Sequence, residues 1–330
     1  MENNERQKKG VFDDLGPDRV LGLVEDRLGV RCTNLFRPLT SYINRVYELE
    51  QEDGTGLIVK FYRPGRWSKD GVLNEHTFLL DLAEQEVPVI APLRFQDGTT
   101  LAGSESLFFA VFPKCGGRSF DEYNDDQWLE LGRLLGRVHN VGATKKAEHR
   151  ISMHPEDSVR SQLHYLMAAH CVPEDFKPQL QKAIEQIIEE VTPLFSSTEQ
   201  IRIHGDCHFA NMIYRPGESF FIIDFDDMAM GPPVQDVWML LPGELDKSFV
   251  EIDFFLEGYE TFRPFDRRTL RLIEPLRAMR FIHYMAWCAH QVEEDGGTRA
   301  IDGFGSGEYW QSEIRDLEDQ LIRIREESLT

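Results

Sequence analysis

Three features of the chain predict an α+β fold with a β-rich N-terminal part and a mostly helical C-terminal part. Extended runs rich in β-branched and aromatic residues concentrate before residue 112, helical apolar spacing dominates after residue 118, and Cys115-Gly116-Gly117 marks the change. A chain of 330 residues is long enough for two bodies of ordinary domain size, each with its own core. The expected division is an N-terminal lobe over 1–112, a hinge over 113–118 and a C-terminal lobe over 119–330, with a cleft between the lobes as the place for a site.

Residues 18–29 carry helical apolar spacing after a polar start. The pattern then changes: NRVYELE and LIVKFY are two β-rich runs separated by Gln-Glu-Asp-Gly-Thr-Gly, a hairpin signal with glycine available for positive φ. Leu73–Leu82 returns to helical spacing, and VPVIAPLRF, TTLAGSES and LFFAVFP continue as strands and turns. Beyond the boundary, helices are expected at WLELGRLLGRVHNVG and over 158–192, 247–263, 267–292 and 308–326. IRIHGD and IIDFDD interrupt them as a small hairpin-like insert carrying a loop. No internal repeat or low-complexity tract is present.

Composition excludes several classes. Hydrophobic residues at 41% and charged residues at 28% are those of a soluble globular protein, and no run approaches a membrane span. The start, MENNERQKKG, lacks the apolar core of a secretory signal. Five scattered cysteines without a CxxC pair support neither a disulfide framework nor a zinc ribbon, which fits a reducing cytoplasm. The 36 basic and 57 acidic residues leave a net charge of −21, which disfavours nucleic acid and anionic membrane as partners.

HGDCHFANMIY, residues 204–214, is the densest chemical motif. His204 and His208 have the four-residue spacing of a helical zinc pair, but Gly205 and the strand-like IRI before it argue for a loop, and no third ligand is placed. A metallophosphoesterase would need Asp-x-His and Gly-Asn-His partner loops, which are missing. A phosphoryl-transfer loop needs an Asp to orient the attacking hydroxyl, an Asn five residues later on the metal, and a second Asp on the metal after a short strand. Asp206, Asn211 and Asp224 fall in that order, with FFII delivering Asp224. Lys60 in LIVKFY is placed as the phosphate-orienting lysine on a strand, and Glu75 in the next helix as its ion-pair partner. No Gly-rich loop precedes Lys60, so LTSYINRVY is the candidate cover for the phosphates, with Ser41 or Arg45 making the contact.

HGDCHFANMIY, IIDFDD, SYINRVY, VKFYRPGRW and IEPLRAMR together resemble the bacterial stress response kinase A family, within the wider aminoglycoside phosphotransferase and choline kinase-like group. The resemblance runs from about Leu39 to Trp310, is weak over 141–200 and does not include residues 1–10. It implies a protein-kinase-like two-lobed fold, with ATP bound by the N-terminal lobe, and a monomeric cytoplasmic enzyme that uses ATP and Mg²⁺ to phosphorylate protein Ser/Thr in a stress response. By position, Asp206 becomes the proton acceptor, Asn211 and Asp224 the magnesium ligands with Asp224 also an active-site residue, and Ser41 an ATP contact.

Other residues are read more modestly. An aspartyl-phosphate on Asp224 is a further option. His204 is expected to hold the loop, Asp236 to brace it from a helix start, and Cys115 to be a small buried residue beside a hinge at Phe112–Cys115. Asp226 and Asp227 read equally as acidity beside the metal or as solvated turn residues and stay outside the expected site. Two other functions remain open: a kinase for a small acceptor resembling an amino-sugar, choline or homoserine, and a nucleotide-binding scaffold without turnover. The full set of Lys60, Asp206, Asn211 and Asp224 weighs against the scaffold, whereas fold cannot separate the two kinase readings.

Overall fold

The computed structural model of the chain describes residues 12–327, apart from 105, 106, 121, 296, 297 and 299. The polar start at 1–10 and the end of TTLAGSES therefore lie outside the described residues. In chain order the elements are α1 (Pro17–Leu28), β1 (Cys32–Leu39), β2 (Arg45–Gln51), β3 (Gly56–Phe61), α2 (Lys69–Glu84), β4 (Ala102–Ser104) and β5 (Leu107–Pro113). They continue with α3 (Asp125–Gly142), α4 (Arg160–Ala168), α5 (Lys177–Phe195), β6 (Ile201–Ile203), β7 (Met212–Tyr214), β8 (Phe220–Ile222) and β9 (Ala229–Gly231). The last are α6 (Val234–Trp238), α7 (Phe249–Glu260), α8 (Ile273–Asp295) and α9 (Gly307–Glu327). The mixture of sheet and helix is the α+β class expected. Among the described residues no helix is long and apolar enough to cross a membrane.

The chain forms two compact units: residues up to Ser119 with Met212–Asp226, and Phe120–Asn211 with Asp227 onward. The first unit is built on an antiparallel sheet in the order β1-β2-β3-β5-β4. Lys60 is opposite Val46 on one side and Ala110 on the other, so it sits on the central strand rather than at an edge. Side chains alternate across a strand. Leu57, Val59 and Phe61 therefore share one face and pack with Val20 and Val24 of α1, which leaves Lys60 on the opposite face. Tyr62 and Ala110 join Val72 of α2 in a second cluster there. Helix α2 starts at Ser68, whose hydroxyl caps the N–H of Gly71.

The second unit is mostly helical. Asn124 and Gln127 form a reciprocal capping box at the start of α3, whose Trp128, Leu131, Leu135 and Val138 supply the buried stripe. Gly132 lets α3 meet α7 closely, since a Cβ there would lie 1.9 Å from the Phe255 carbonyl oxygen.

Four local expectations are corrected. VPVIAPLRF is not a strand: Pro88 and Pro92 lack the N–H groups a ladder needs, and the segment keeps an isolated bridge from Val89 to Ile222. The run over 158–192 is two helices, because α4 ends at Ala168 and a turn containing Pro173 precedes α5. IRI and FFI do not form one hairpin: β6 pairs with β9 and β7 with β8. Cys115 is half-buried rather than buried, and the Arg215 guanidinium donates to its Sγ at 3.4 Å. In addition, β1 pairs with β2 although its sequence carries no clean alternation; its register shifts between Cys32 and Phe36 and much of it is exposed.

Candidate active site

In the first unit the sheet and α2 bring Lys60 and Glu75 together, with Nζ 3.8 Å from Oε1. The Tyr62 hydroxyl lies 3.4 Å from the same carboxylate and 2.9 Å from Nε2 of His76, whose Nδ1 meets the Thr100 hydroxyl at 2.8 Å. These buried polar groups thus anchor one another, as a low-dielectric interior requires.

Strand β8 delivers Asp224 in a left-handed conformation, φ 60°, which costs a non-glycine residue on the order of 1 kcal/mol and which Asp tolerates better than most. Phe225 drops into the core and meets Phe78 of α2 edge to face at 5.6 Å. Asp226 then turns inward. Its carboxylate lies 3.0 Å from Lys60 Nζ and 3.1 Å from Arg66 Nε, whereas Asp224 Oδ1 lies 3.2 Å from the same Nζ. Asp226 is no solvated turn residue: its side chain is 8% exposed and Glu75's 1%, against 57% for Asp224. Asp224 is thus the carboxylate of this group that can reach a ligand. Burial alone would push the Lys60 ammonium down, but Asp226, Glu75 and Asp224 outweigh it and hold the pKa well above its ordinary value.

In the second unit, β6 leads into His204-Gly205-Asp206, and Asp236 of α6 fixes the turn. One oxygen of Asp236 accepts the N–H of His204 at 2.7 Å and the other accepts that of Gly205 at 2.8 Å. His139 of α3 contacts the first oxygen through Nε2 at 3.0 Å and the Tyr259 hydroxyl through Nδ1 at 2.9 Å. A carboxylate only accepts, so the His139 Nε2 carries a proton and donates to Asp236. Glycine is required at 205: φ is +85° and a Cβ would stand 2.2 Å from the Asp227 carbonyl oxygen. His204 is fully buried and its Nδ1 accepts the N–H of Asp206 at 3.2 Å, which removes that lone pair from metal binding and makes the ring a loop brace. Phe209 anchors the far side of the loop against Tyr123 and Trp128.

The loop presents Asp206 and Asn211. Asn211 Nδ2 donates to the Asp206 carbonyl at 2.9 Å, and its amide oxygen accepts from no described residue, so a hard oxygen ligand is left over. His208 Nε2 lies 3.3 Å from Asp206 Oδ2, and Arg280 Nη2 of α8 lies 2.9 Å from Oδ1. Burial pushes the Asp206 carboxyl up, but the His208 contact and the Arg280 charge pull it further down, to well below the usual carboxylate range. This carboxylate stays ionised. Sequence reasoning gave no role to Arg280, Arg66, His139 or Tyr259; Arg66 and Arg280 sit in VKFYRPGRW and IEPLRAMR, and only their place in those motifs signalled them.

The Asp236 brace carries its own expected result. Asp236→Ala strands the buried His204 N–H, the part-buried Gly205 N–H and the buried His139 ring, so unfolding stability should fall by about 3–5 kcal/mol, read as a lowered urea midpoint. Asp236→Asn, which still accepts one of these bonds, should lose less. Equal midpoints for Asp236→Ala and wild type would remove the brace.

Comparison with known proteins places the family and the fold. Residues 36–273 match the phosphotransferase enzyme family. The chain is 36% identical to Stress response kinase A of Escherichia coli (strain K12) over 320 residues, covering 97% of this chain and 96% of that protein. It is 34% identical over 320 residues to the Serine/threonine protein kinase RdoA of Salmonella typhimurium (strain LT2), with the same coverage of each chain. Among solved structures, the amicoumacin kinase hAmiN in complex with AMP-PNP, Ca²⁺ and Ami superposes with a TM-score of 0.76 at 20% identity, covering 94% of each chain, which shows the shared fold. The chain therefore belongs to the phosphotransferase enzyme family, alongside the stress response kinase A proteins, and is a kinase that transfers a phosphoryl group to a hydroxyl.

Proposed function

We propose that the chain is an ATP- and Mg²⁺-dependent Ser/Thr protein kinase acting in a stress response in the cytoplasm, as a monomer. The protein acceptor rests on one observation: the relatives that match over 97% of the chain are named as stress response and Ser/Thr kinases. A small-molecule acceptor is the second reading, because the amicoumacin kinase shares the fold. Labelled ATP and Mg²⁺ with a generic protein in one tube and a panel of amino-sugars, choline and homoserine in another separates the two. Label confined to the small molecules would overturn the protein reading.

In this reading Lys60, held by Glu75, orients the ATP phosphates, and the segment 113–118 is the hinge. Asn211 and Asp224 fit Mg²⁺, since one offers an uncommitted amide oxygen and the other an exposed carboxylate. Bound there, the ion would neutralise charge on the phosphates. The acceptor oxygen forms a bond to the γ-phosphorus as the bond to the bridging oxygen breaks, ADP leaves with the electron pair, and the hydroxyl proton passes to the Asp206 carboxylate. Phosphoryl transfer asks little covalent chemistry of the protein, so Asp206 acts chiefly by orienting the hydroxyl and takes its proton late. An aspartyl-phosphate at Asp224 is not required, because that carboxylate already faces Lys60.

Ser41 lies in the β1–β2 turn, half-buried, with no partner for its hydroxyl among the described residues. The turn itself is fixed: Asn44 Oδ1 accepts the N–H of Arg63, and Arg63 Nε donates to the Ile43 carbonyl. Arg45 is stacked over Phe12 at 4.9 Å instead, which favours Ser41 for the phosphate contact. Ser41→Ala should raise the KM for ATP about tenfold or more, the loss of one hydrogen bond to a charged acceptor, while adenosine affinity stays at the wild-type value. Equal loss for ATP and adenosine would mean general damage to this unit rather than a lost phosphate contact.

A further inference from the structure

Arg280 stands where no phosphate-binding argument places it. Both oxygens of the Asp206 carboxylate are occupied: His208 Nε2 is 3.3 Å from Oδ2 and Arg280 Nη2 is 2.9 Å from Oδ1. Yet Oδ1, although buried, receives no well-aimed hydrogen bond. Arg280 thus covers this oxygen without saturating it. Its other described contact is a weak one to Met239 Sδ at 3.8 Å, and its side chain is 36% exposed. Arg277, one turn earlier on α8, is tethered more firmly: its Nε lies 3.3 Å from Glu274 and its guanidinium stacks over Trp238 at 4.9 Å. Arg280 is therefore a long, partly exposed cation whose one ionic partner among the described residues is the carboxylate that must receive the acceptor hydroxyl.

From this arrangement we infer that Arg280 is a specificity-determining gate: it covers Asp206 at rest and is drawn aside by acceptors that carry a carboxylate or phosphate close to the hydroxyl. The inference rests on the kinase reading of Asp206. A neutral or cationic acceptor must displace the guanidinium with nothing to offer it, whereas an anionic one exchanges one ion pair for another, bidentate in geometry. Selection then comes from differential interaction with the two positions of one side chain. A chain of net charge −21 repels anions at long range, so a local arginine beside the reacting hydroxyl supplies discrimination rather than steering.

The test uses the full-length protein with Mg²⁺, labelled ATP and acceptors paired by charge. One pair is a single-Thr peptide flanked by Glu residues and the same peptide flanked by Lys residues. The other pair is a small hydroxy acid and an amino alcohol of equal length, which separates a peptide source of the anion from a metabolite source. Wild type should prefer the anionic member of at least one pair by about tenfold or more in kcat/KM. Arg280→Ala should lose that preference and hydrolyse ATP to water faster without acceptor, while its KM for ATP is unchanged. Arg280→Lys should keep part of the preference and Arg280→Glu should reverse it, with melting temperatures recorded for every variant.

Transfer by wild type without charge preference would overturn the gate alone. So would an intact preference in Arg280→Ala, or a shift confined to the KM for ATP, which would assign Arg280 to the nucleotide. No transfer and no ATP hydrolysis by wild type would instead strike the kinase reading, and the gate with it.

Discussion

The Asp206→Asn protein should bind ATP as wild type does and transfer its phosphate on the order of 10²- to 10⁴-fold more slowly, the usual range when a positioned acid or base is lost. The substitution keeps the shape of the side chain and removes the charge. An amide presents one oxygen and two N–H groups and no charge, so it faces His208 and Arg280 less well and is a far weaker acceptor for the incoming hydroxyl's proton. The backbone of the turn should not move, because it is pinned by Asp236 through His204 and Gly205 rather than by the Asp206 side chain. Turnover numbers and ATP affinity measured on the same preparation decide the matter. Turnover within a few fold of wild type would remove Asp206 from the reaction, and a parallel collapse of ATP affinity would assign it to the nucleotide.

The second large effect is expected at Asp224. Asp224→Asn is the informative variant, since Asn also tolerates the left-handed conformation at φ 60° whereas Ala would add strain. Calorimetry should show ATP binding with little or none of the tightening that Mg²⁺ gives wild type. Asn211→Ala should lose only part of it, because an amide oxygen coordinates without neutralising charge. Fold stability of Asp224→Asn should change little, given the 57% exposure of the side chain. Magnesium dependence equal to wild type in Asp224→Asn would place the metal elsewhere.

Much of this was legible before any coordinates. The hairpin at Gln51–Gly56, a strand carrying Lys60 and a following helix that brings Glu75 to it are written in local patterns, with glycine at the turn and a β-branched, apolar run on β3. The spacing from Asp206 to Asn211 is likewise local, and the structure shows what it achieves: the Asn211 amide bonds the Asp206 carbonyl, which leaves its oxygen free.

What stayed hidden is non-local. Strands of three residues such as β6 and β8 hold no register information of their own, so their partners are set by what surrounds them. Asp226 read equally as acidity beside the metal or as a solvated turn residue, and only the three-residue turn that buries Phe225 shows it pointing back at Lys60 and Arg66. Arg280 belongs to a helix whose periodicity says nothing of a carboxylate more than seventy residues away along the chain.

The segment Met212–Asp226 belongs to the first unit although nearly half of the second precedes it in sequence. It completes that unit: the N–H of Ile222 donates to the Pro88 carbonyl at 3.1 Å, Tyr214 exchanges backbone hydrogen bonds with Arg118, and Phe225 covers Phe78. During synthesis the sheet and α2 therefore emerge well before their missing pieces. At ordinary ribosomal rates the interval is roughly 5 to 20 s, far longer than the collapse of a short chain needs. Throughout it the apolar side of α2 around Phe78 lacks its native cover, so the nascent chain presents a docking place for holding chaperones, and any early stop between Ser119 and Met212 would leave a fragment with that surface permanently bare.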